Sequence, residues 1–258
     1  MTGFDPKSPN VARVYDYGLG GRENFAADRE AAARLLALYP SVAKAIAGNK
    51  EFVSRAVTWV AGQGVGQFID LGAGMPAEPA VHETARAVVP AARVAYVDND
   101  PVVISHLNAR FCTRDNQVAV AEGDIRDPAA VLGLLAGNID LTRPVGLVMT
   151  MVLHFLDAQA ARSLVDGYLA AAAPGSYVIA SVGHGQGEAA DNFFRAYSAS
   201  IQPLHNHSVA EFTAMLGELE PVPPGIRDAH AWLPGWSDLP PSPPSGDARV
   251  IAAVARLP

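Results

Sequence analysis

The chain has 258 residues, half of them hydrophobic, which suffices to bury the core of one large α/β domain. A formal net charge of −7, with no run of lysine and arginine, argues against a nucleic-acid surface built on positive charge. No charge-free apolar stretch reaches the roughly eighteen residues of a membrane-spanning helix. The single cysteine, Cys112, excludes an internal disulfide and is expected to be a small buried or half-buried apolar residue. Residues 1–6 lack the basic and apolar segments of a signal peptide, so a cytoplasmic protein is expected.

Helical patterns fill roughly the first sixty residues. Asn10 is expected to cap a short helix that ends in the glycine-rich turn 18–21. Apolar residues recur near helical spacing over 31–42, with an interruption at Pro40. A further helix is predicted over about 49–62.

Strands and helices then alternate to the end of the chain. Strands are predicted at about 65–70, 93–97, 117–121, 145–150, 177–182, 229–232 and 250–254. Helices are predicted at about 79–88, 102–111, 157–172, 188–199 and 209–217, with another that begins at Pro128. A proline-rich loop is expected over 234–246. This order predicts a largely parallel sheet with crossover helices, residues 64–258, preceded by an N-terminal helical cap, residues 1–63.

Acids stand at the ends of the first three strands. Asp70 precedes a turn that contains Gly72 and Gly74, and Asp98 and Asp124 close the next two strands. In an open parallel sheet, ligands sit beyond the carboxyl ends of the strands. The acids suit an adenosine that carries a cationic sulfonium and an amino-acid tail. One carboxylate would face the ammonium group, one would accept the ribose hydroxyls, and one would accept from the adenine amino group.

The same turn also fits a dinucleotide. Residues 72–77 satisfy the Gly-x-Gly-x-x-Gly/Ala fingerprint, and Asp98 follows Gly74 by 24 residues. On that pattern alone both cofactors remain open. Asp70, however, places a negative charge two residues before the first glycine, and Glu78 adds another where a helix N-terminus should attract phosphate. The acid after the third strand has no role in the dinucleotide scheme, so the residues favour the sulfonium cofactor over NAD.

Several motifs together carry a resemblance to a known family. They are 9–17 (PNVARVYDY), 20–28 (GGRENFAAD), 68–76 (FIDLGAGMP), 94–101 (VAYVDNDP), 123–128 (GDIRDP), 152–155 (VLHF) and 173–177 (APGSY). With these motifs the chain resembles class I S-adenosylmethionine-dependent methyltransferases. It is most similar to an actinobacterial S-adenosyl methyltransferase group first catalogued as a domain of unknown function.

The resemblance implies a Rossmann-like, mostly parallel sheet of seven strands with an antiparallel last strand and a helical cap. It implies S-adenosyl-L-methionine as cofactor, with Asp70 and the two glycines at its methionine end, Asp98 at the ribose and Asp124 and Ile125 at the adenine. Pro76 stands where the general class often has another glycine. The predicted cofactor-binding residues are Asp70, Gly72, Gly74, Asp98, Asn99, Asp124, Ile125 and Thr150.

The N-terminal lead is expected to supply a lid and part of the acceptor pocket. The alternative is a helix–helix connection that satisfies its own polar groups. Arg13 is a candidate partner for the cofactor carboxylate or a surface arginine. The predicted lid residues are Tyr15, Arg22, Asn24, Phe25 and Asp28.

Histidines supply the candidates for proton chemistry. His154 follows the fourth strand and could act as a base if the attacking atom must lose a proton; the alternative is a packed histidine at a helix start. The pair His205 and His207 could be half of a metal site, but no carboxylate or cysteine companion is evident, so no metal is predicted. His184, after the fifth strand, is open to the same two interpretations as His154.

The acceptor is the least defined part of the prediction. Residues 150–153 lack the Asn/Asp-Pro-Pro-aromatic signature of enzymes that methylate exocyclic amines of nucleobases. Together with the acidic balance, this favours a small-molecule acceptor and no nucleic-acid partner. Besides the NAD-dependent oxidoreductase, a non-catalytic cofactor-binding or regulatory protein of the same fold is an alternative. The acceptor, its attacking atom and the oligomeric state do not follow from the sequence.

Overall fold

The structure is a computed structural model that describes residues 5–111, 117–235 and 248–258. Cys112 and most of the predicted loop 234–246 lie outside the described residues. Within them, no helix combines the length and the apolar character that a membrane crossing requires.

Three helices precede the first strand: α1 (Val11–Gly18), α2 (Ala26–Leu38) and α3 (Val42–Gly62). Asn10 caps α1 as predicted, since its side-chain oxygen accepts the N–H of Ala12 at 2.8 Å. Helix α2 ends two residues before Pro40, which cannot continue it. Helix α3 begins seven residues earlier than about residue 49, where the sequence predicted its start.

Eight strands are assigned in the described ranges: β1 (Gln67–Leu71), β2 (Arg93–Asp98), β3 (Val118–Glu122), β4 (Gly146–Thr150), β5 (Tyr177–His184), β6 (Glu220–Pro221), β7 (Arg227–Asp228) and β8 (Arg249–Arg256). The sheet order is β3-β2-β1-β4-β5-β8-β6, and β7 also pairs with β8. The first five strands are parallel, whereas β8 is antiparallel to β5, β6 and β7. The predicted mostly parallel sheet with an antiparallel last strand is confirmed. The sheet has eight strands rather than seven, because the predicted strand 229–232 is absent and the two-residue strands β6 and β7 are added to the six longer ones.

Helices cover both faces of this sheet. The remaining ones are α4 (Val81–Arg86), α5 (Pro101–Phe111), α6 (Pro128–Leu135), α7 (Ala158–Leu169), α8 (Glu188–Ser200) and α9 (Val209–Leu216). Helices α3, α4 and α5 bury apolar residues such as Phe52 and Leu107 against one face. Helices α6, α7 and α9 do so on the other, with Leu135, Val165 and Phe212. These two layers give the sheet a core on each side.

A third apolar cluster joins the N-terminal helices to α8. We call it the cap cluster; its buried members are Val14, Ala31, Ala32, Leu35, Tyr39, Ala190, Phe193 and Tyr197. Helix α2 therefore docks on α8, and α1 packs on α2. Helix α3, in contrast, packs into the core of the sheet, although it precedes the first strand.

The segment 229–232 does not form the strand predicted from the sequence. Ala229–Ala231 forms a short 3-10 helix, and the strand is the preceding pair Arg227–Asp228. Trp232 is fully buried, with its ring edge-on to Phe52 at 5.3 Å between centroids.

Candidate functional site

A cavity of about 570 Å³ lies at the carboxyl edge of the sheet. Its wall includes the segments that follow β1, β2, β3 and β4, where the strand order reverses. Helices α1, α2, α3 and α8 supply the remaining walls. This is the place where open α/β sheets bind their ligands.

The glycine turn after β1 forms part of the cavity wall. Gly72 and Gly74 have φ values of +75° and +66°, in the left-handed region that favours glycine. A Cβ on Gly72 would lie 2.5 Å from Cγ1 of Val152, so a side chain does not fit there. A Cβ on Gly74 would meet no heavy atom within 4 Å. The turn therefore brings bare backbone to the cavity, where a ligand can lie against it.

Asp98, at the end of β2, is tied to this turn. Its Oδ2 accepts the N–H of Gly74 at 2.9 Å, and its Oδ1 accepts the N–H of Asp100 at 3.0 Å. The side chain is largely buried, and burial raises its pKa. Each carboxylate oxygen can accept more than one hydrogen bond. Asp98 therefore retains acceptor capacity for two hydroxyl groups of a ligand.

Asp70 lies on β1, opposite Tyr96 of β2, and also lines the cavity. Burial raises the pKa of its carboxyl group to about 7, and the negative charge of Asp98 adds to this rise. Asp70 and Asp98 thus lie on the same cavity wall, where burial removes part of the hydration of both carboxyl groups. A cationic group placed beside them would favour their ionised forms.

The other predicted cofactor-binding residues also line the cavity: Asn99, Asp124, Ile125 and Thr150. Asp124 accepts both the backbone N–H and Nε of Arg126 at 2.9 Å, and this pairing lowers its pKa. Asp100, in contrast, caps α5 as expected, because its Oδ1 accepts the N–H of Val102 at 2.7 Å. All eight predicted cofactor-binding residues converge on one cavity.

Of the five predicted lid residues, Tyr15 lies on the cavity wall. Asn24 donates to Asp16 and to the carbonyl of Gly21, at 2.8 and 3.0 Å, and Arg22 is exposed. Asp28 is fully buried and accepts Nε of Arg13 at 2.8 Å.

Arg13 therefore forms an ion pair with Asp28 rather than with a cofactor carboxylate. It is buried, not a surface residue, and its guanidinium lies over the ring of Phe25 at 5.2 Å. Asp28 also accepts the N–H groups of Asn10 and Phe25, both within 2.9 Å. This buried cluster fixes α1 against α2, and so places Tyr15.

A buried chain of hydrogen bonds connects the cap to the sheet. Ser181 of β5 donates to Oδ1 of Asn49 at 2.7 Å, and Nδ2 of Asn49 donates to the hydroxyl of Tyr15 at 3.1 Å. Burial raises the pKa of Tyr15 to about 12, so its hydroxyl stays protonated. Ser181 also holds Met151, whose N–H donates to the Ser181 carbonyl at 2.9 Å and whose φ is +58°. Sequence reasoning missed Asn49 and Ser181, because nothing local marks residues of distant segments as neighbours.

His154 is buried in a short 3-10 helix after β4 and contacts the cavity. Its Nδ1 accepts the N–H of Gly183 at 2.9 Å, so this nitrogen carries no proton. Burial, followed by the nearby His207, lowers the pKa of the ring to about 3. The lone pair that a general base would use is already engaged, and this geometry argues against the predicted role of His154 as a base.

The other histidines form a second arrangement. Nδ1 of His184 donates to the carbonyl of His207 at 2.8 Å, and Nε2 of His207 donates to the carbonyl of Leu156 at 2.9 Å. His205 stacks on His207 with ring centroids 5.6 Å apart. Across the described ranges, no three histidine, cysteine or acidic residues converge in a way that could hold a metal ion. The backbone carbonyl of His207 therefore holds the ring of His184 in position on the cavity wall.

The sheet order, the glycine turn and the acids at the strand ends together define the architecture of class I methyltransferases. The comparisons with known proteins agree. A model of the S-adenosyl methyltransferase family matches residues 2–258. The chain therefore belongs to the S-adenosyl methyltransferase family, whose methyl donor is S-adenosyl-L-methionine, and the NAD-dependent alternative is not supported.

Two solved structures are similar over nearly the whole chain. One is a proposed methyltransferase from Thermobifida fusca YX, with 33% identity and a TM-score of 0.90, covering 97% of this chain and 96% of that one. The other is a DUF574 family protein from Streptomyces avermitilis MA-4680, with 34% identity and a TM-score of 0.90, covering 98% and 99%.

A more distant structure shares the fold. It is the N-methyltransferase NodS from Bradyrhizobium japonicum WM9 in complex with S-adenosyl-L-homocysteine, with 15% identity and a TM-score of 0.52. The alignment covers 81% of this chain and 87% of that one. No curated protein sequence matches the chain.

The described residues fit the methyl donor. Bare backbone at Gly74, acceptor oxygens at Asp98 and a partly dehydrated acid at Asp70 face one cavity. These groups suit a ligand with hydroxyl groups and a cationic end.

Proposed function

We propose that the protein transfers the sulfonium methyl group of S-adenosylmethionine to an O, N or C atom of a small molecule by in-line displacement. The observation that carries the proposal is that one partly open cavity has two chemically different ends. Acids and bare backbone line the end at β1 to β3, whereas aromatic rings line the end between α2 and α8. A donor and an acceptor can thus be held side by side, which is the main requirement for methyl transfer.

In the proposed assignment, the methionine end of the donor lies at Asp70, Gly72 and Gly74, near Thr150. Asp98 and Asn99 hold the ribose, whereas Asp124 and Ile125 flank the adenine. The bound sulfonium supplies an electrophilic methyl group, and the residues of this chain bind, orient and enclose it. The convergence of all these side chains on one cavity supports the assignment.

The predicted lid residues of the N-terminal segment have two different roles in this proposal. Tyr15 contacts the ligands, because it lies on the cavity wall. Arg22, Asn24, Phe25 and Asp28 belong to the lid as supports of its helices. The fixed connection from Asp28 to α1 through Arg13 favours this division.

The size of the cavity, about 570 Å³, favours a small-molecule acceptor over a nucleic acid. We also place the protein in the cytoplasm, because its methyl donor is a cytoplasmic metabolite. An actinobacterial origin agrees with the Streptomyces and Thermobifida neighbours.

The test is methyl transfer from S-adenosylmethionine labelled in the methyl group, with a metabolite panel and mass analysis of the products. We expect one labelled product and an equal amount of S-adenosylhomocysteine. The rival is a non-catalytic protein that binds the donor to sense it. Donor that stays bound but unconsumed with every acceptor of a broad panel would favour that rival.

A further inference from the structure

The end of the cavity away from the acids has a wall of aromatic rings. The five rings are those of Tyr39, Phe155, Phe193, Phe194 and Tyr197. The centroid of Phe193 lies 6.0 Å from that of Tyr39 and 6.1 Å from that of Tyr197. Phe155 and Tyr197 are stacked, with an angle of 26° between their planes. Such rings favour a flat aromatic ligand, which gains offset or edge contacts beyond simple burial.

The charged groups of the cavity wall are concentrated elsewhere. Four of its acids, Asp70, Asp98, Asp100 and Asp124, lie on or directly after β1, β2 and β3. Asp16 of α1 is engaged by Asn24 and by the N–H of Glu23. Arg126 pairs with Asp124, and Lys50 comes from α3, outside the cap cluster. Arg249 lies directly opposite His184 in the β5–β8 pairing, where its Nε donates to Oδ1 of Asp228 at 2.6 Å. A charged acceptor at the aromatic end would lose its hydration beside an ion pair that is already formed, so this end suits an uncharged molecule.

His184 is one of the polar residues of the cavity wall at this end, together with Tyr39, Tyr197 and Gln202. Because Nδ1 donates to the carbonyl of His207, Nε2 of the neutral ring carries the lone pair. Within the described part of the chain, no hydrogen bond to Nε2 is formed, and His184 lines the cavity. Ser181 of β5 is level with Thr150, so His184 lies three residues, roughly 10 Å, beyond the end of β4. This position is next to the aromatic wall rather than among the acids.

The surroundings hold His184 in this orientation. Asn206 accepts the N–H of Gly185 at 3.1 Å and donates to its carbonyl at 2.9 Å. A Cβ on Gly185 would lie 3.2 Å from the hydroxyl oxygen of Tyr39. The residue after His184 is thus clamped between the 205–207 segment and the cap cluster.

We propose that the acceptor is an uncharged aromatic compound with a ring hydroxyl, a phenol in the broad sense, and that Nε2 of His184 accepts its proton. The inference rests on the proposed function and deepens it. In the transfer, the phenol oxygen forms a bond to the methyl carbon as the carbon–sulfur bond breaks. The hydroxyl proton passes to Nε2 and then to solvent, and the products are a methyl ether and S-adenosylhomocysteine.

The test uses 4-nitrophenol as probe, because its absorption band shows directly whether its hydroxyl has lost the proton. The full-length protein is first saturated with S-adenosylhomocysteine, and binding is followed by calorimetry and absorbance at a pH where the free probe is mostly protonated. We expect 4-nitrophenol to bind about tenfold more tightly than the anion 4-nitrobenzoate, which cannot replace its hydration at this wall. We also expect the phenolate band to grow on binding.

Two variants and one control distinguish the role of His184 as a base from the contribution of the aromatic rings to binding. In His184→Asn, the amide can still donate to the carbonyl of His207 but offers no basic lone pair, so the probe should bind without the phenolate band. His205→Asn, off the cavity wall, should behave as the wild type. Phe155→Leu removes one ring and should weaken binding of the probe about three- to tenfold.

The outcomes distinguish this inference from the proposed function. If S-adenosylhomocysteine binds but 4-nitrophenol does not, or 4-nitrobenzoate binds equally well, the acceptor class is wrong and the methyl-donor site stands. An equal phenolate band in the wild type and His184→Asn would overturn the role of His184. If S-adenosylhomocysteine itself does not bind, both proposals fail.

Discussion

The backbone N–H of Gly74 donates a 2.9 Å hydrogen bond to Oδ2 of Asp98, which couples the glycine turn after β1 to the end of β2. The two residues lie together on the cavity wall, where the proposed function places the methyl donor. One acid thus fixes the turn and still offers acceptor positions to a ligand. The coupling makes the turn and the acid a single unit.

Replacement of Asp98 by alanine should therefore weaken S-adenosylhomocysteine binding by about 1–3 kcal/mol, the scale for hydrogen bonds to a charged group. Calorimetry measures the change directly. The control is Asp127→Ala, which removes the cap of α6, where Asp127 accepts the N–H of Ala130 at 3.0 Å, and leaves the cavity intact. Affinity equal to the wild type in Asp98→Ala would mean that the ribose is held elsewhere.

The two glycines of the turn should respond differently to alanine. Both substitutions place a side chain at positive φ, at a cost of about 1–2 kcal/mol in the free energy of unfolding. Gly72→Ala must in addition displace Val152, which we expect to cost about 1–3 kcal/mol more. Gly74→Ala meets no protein atom, so its methyl group should instead weaken S-adenosylhomocysteine binding. Urea unfolding and calorimetry test the pair, and equal unfolding costs would contradict the packing at Gly72.

Asp70 should give the unliganded protein a characteristic pH dependence. Burial, with the charge of Asp98, raises its pKa to about 7, above the ordinary value of about 4 in the unfolded chain. The folded chain thus holds this proton more tightly, and stability is lost as the pH rises from about 4 to about 7. In Asp70→Asn this loss disappears, so the melting temperature of the variant relative to the wild type should rise across that window.

The matched control for Asp70 is the exposed Asp140. Hydrogen bonds from the hydroxyl and the N–H of Thr142 lower the pKa of Asp140, so its ionised form is favoured in the folded chain. Asp140→Asn should therefore gain no stability relative to the wild type as the pH rises. A melting-temperature difference between Asp70→Asn and the wild type that is constant with pH would refute the shifted pKa.

Asn49→Leu should break the buried connection between the cap and the sheet. The hydroxyl groups of Tyr15 and Ser181 lose their hydrogen bonds to the Asn49 amide, and we expect the free energy of unfolding to fall by about 1–3 kcal/mol. Asn108→Leu, at an exposed position of α5, is the control and should change it by no more than about 0.5 kcal/mol. Denaturant unfolding measures the free energy of unfolding of both variants. Equal losses in the two would show that the hydrogen-bond network adds nothing to stability.

The sequence predicted those parts of the fold that depend on local order. Alternating strands and helices required a parallel sheet, and the acids Asp70, Asp98 and Asp124 could be placed at one edge because parallel strands end together. Pro40 and Asn10 marked helix ends through local backbone chemistry. In contrast, the sequence did not indicate that α3 continues through Gly48 and Asn49, because both residues are poor helix formers. Gly48 is needed there because a Cβ would lie 3.0 Å from Cβ of His230.

The missed parts of the site depend on tertiary contacts. His184 owes its orientation to a carbonyl 23 residues away, and Asn49 meets Ser181 across 132 residues. The ring of Tyr39 directly follows α2 and that of Phe193 lies on α8, and nothing in the local sequence of either segment indicates that the two rings meet. His154 was singled out by its position after β4, but the N–H of Gly183 occupies the nitrogen that a base would use.

A crystal structure of the protein with S-adenosylhomocysteine tests the central claim most directly. We predict the ribose hydroxyls at the carboxylate of Asp98, the amino-acid end beside Asp70 and Gly74, and the sulfur directed to the wall that carries His184 and Phe193. A sulfur that faces away from this wall, or a ligand bound outside the cavity, would contradict the account.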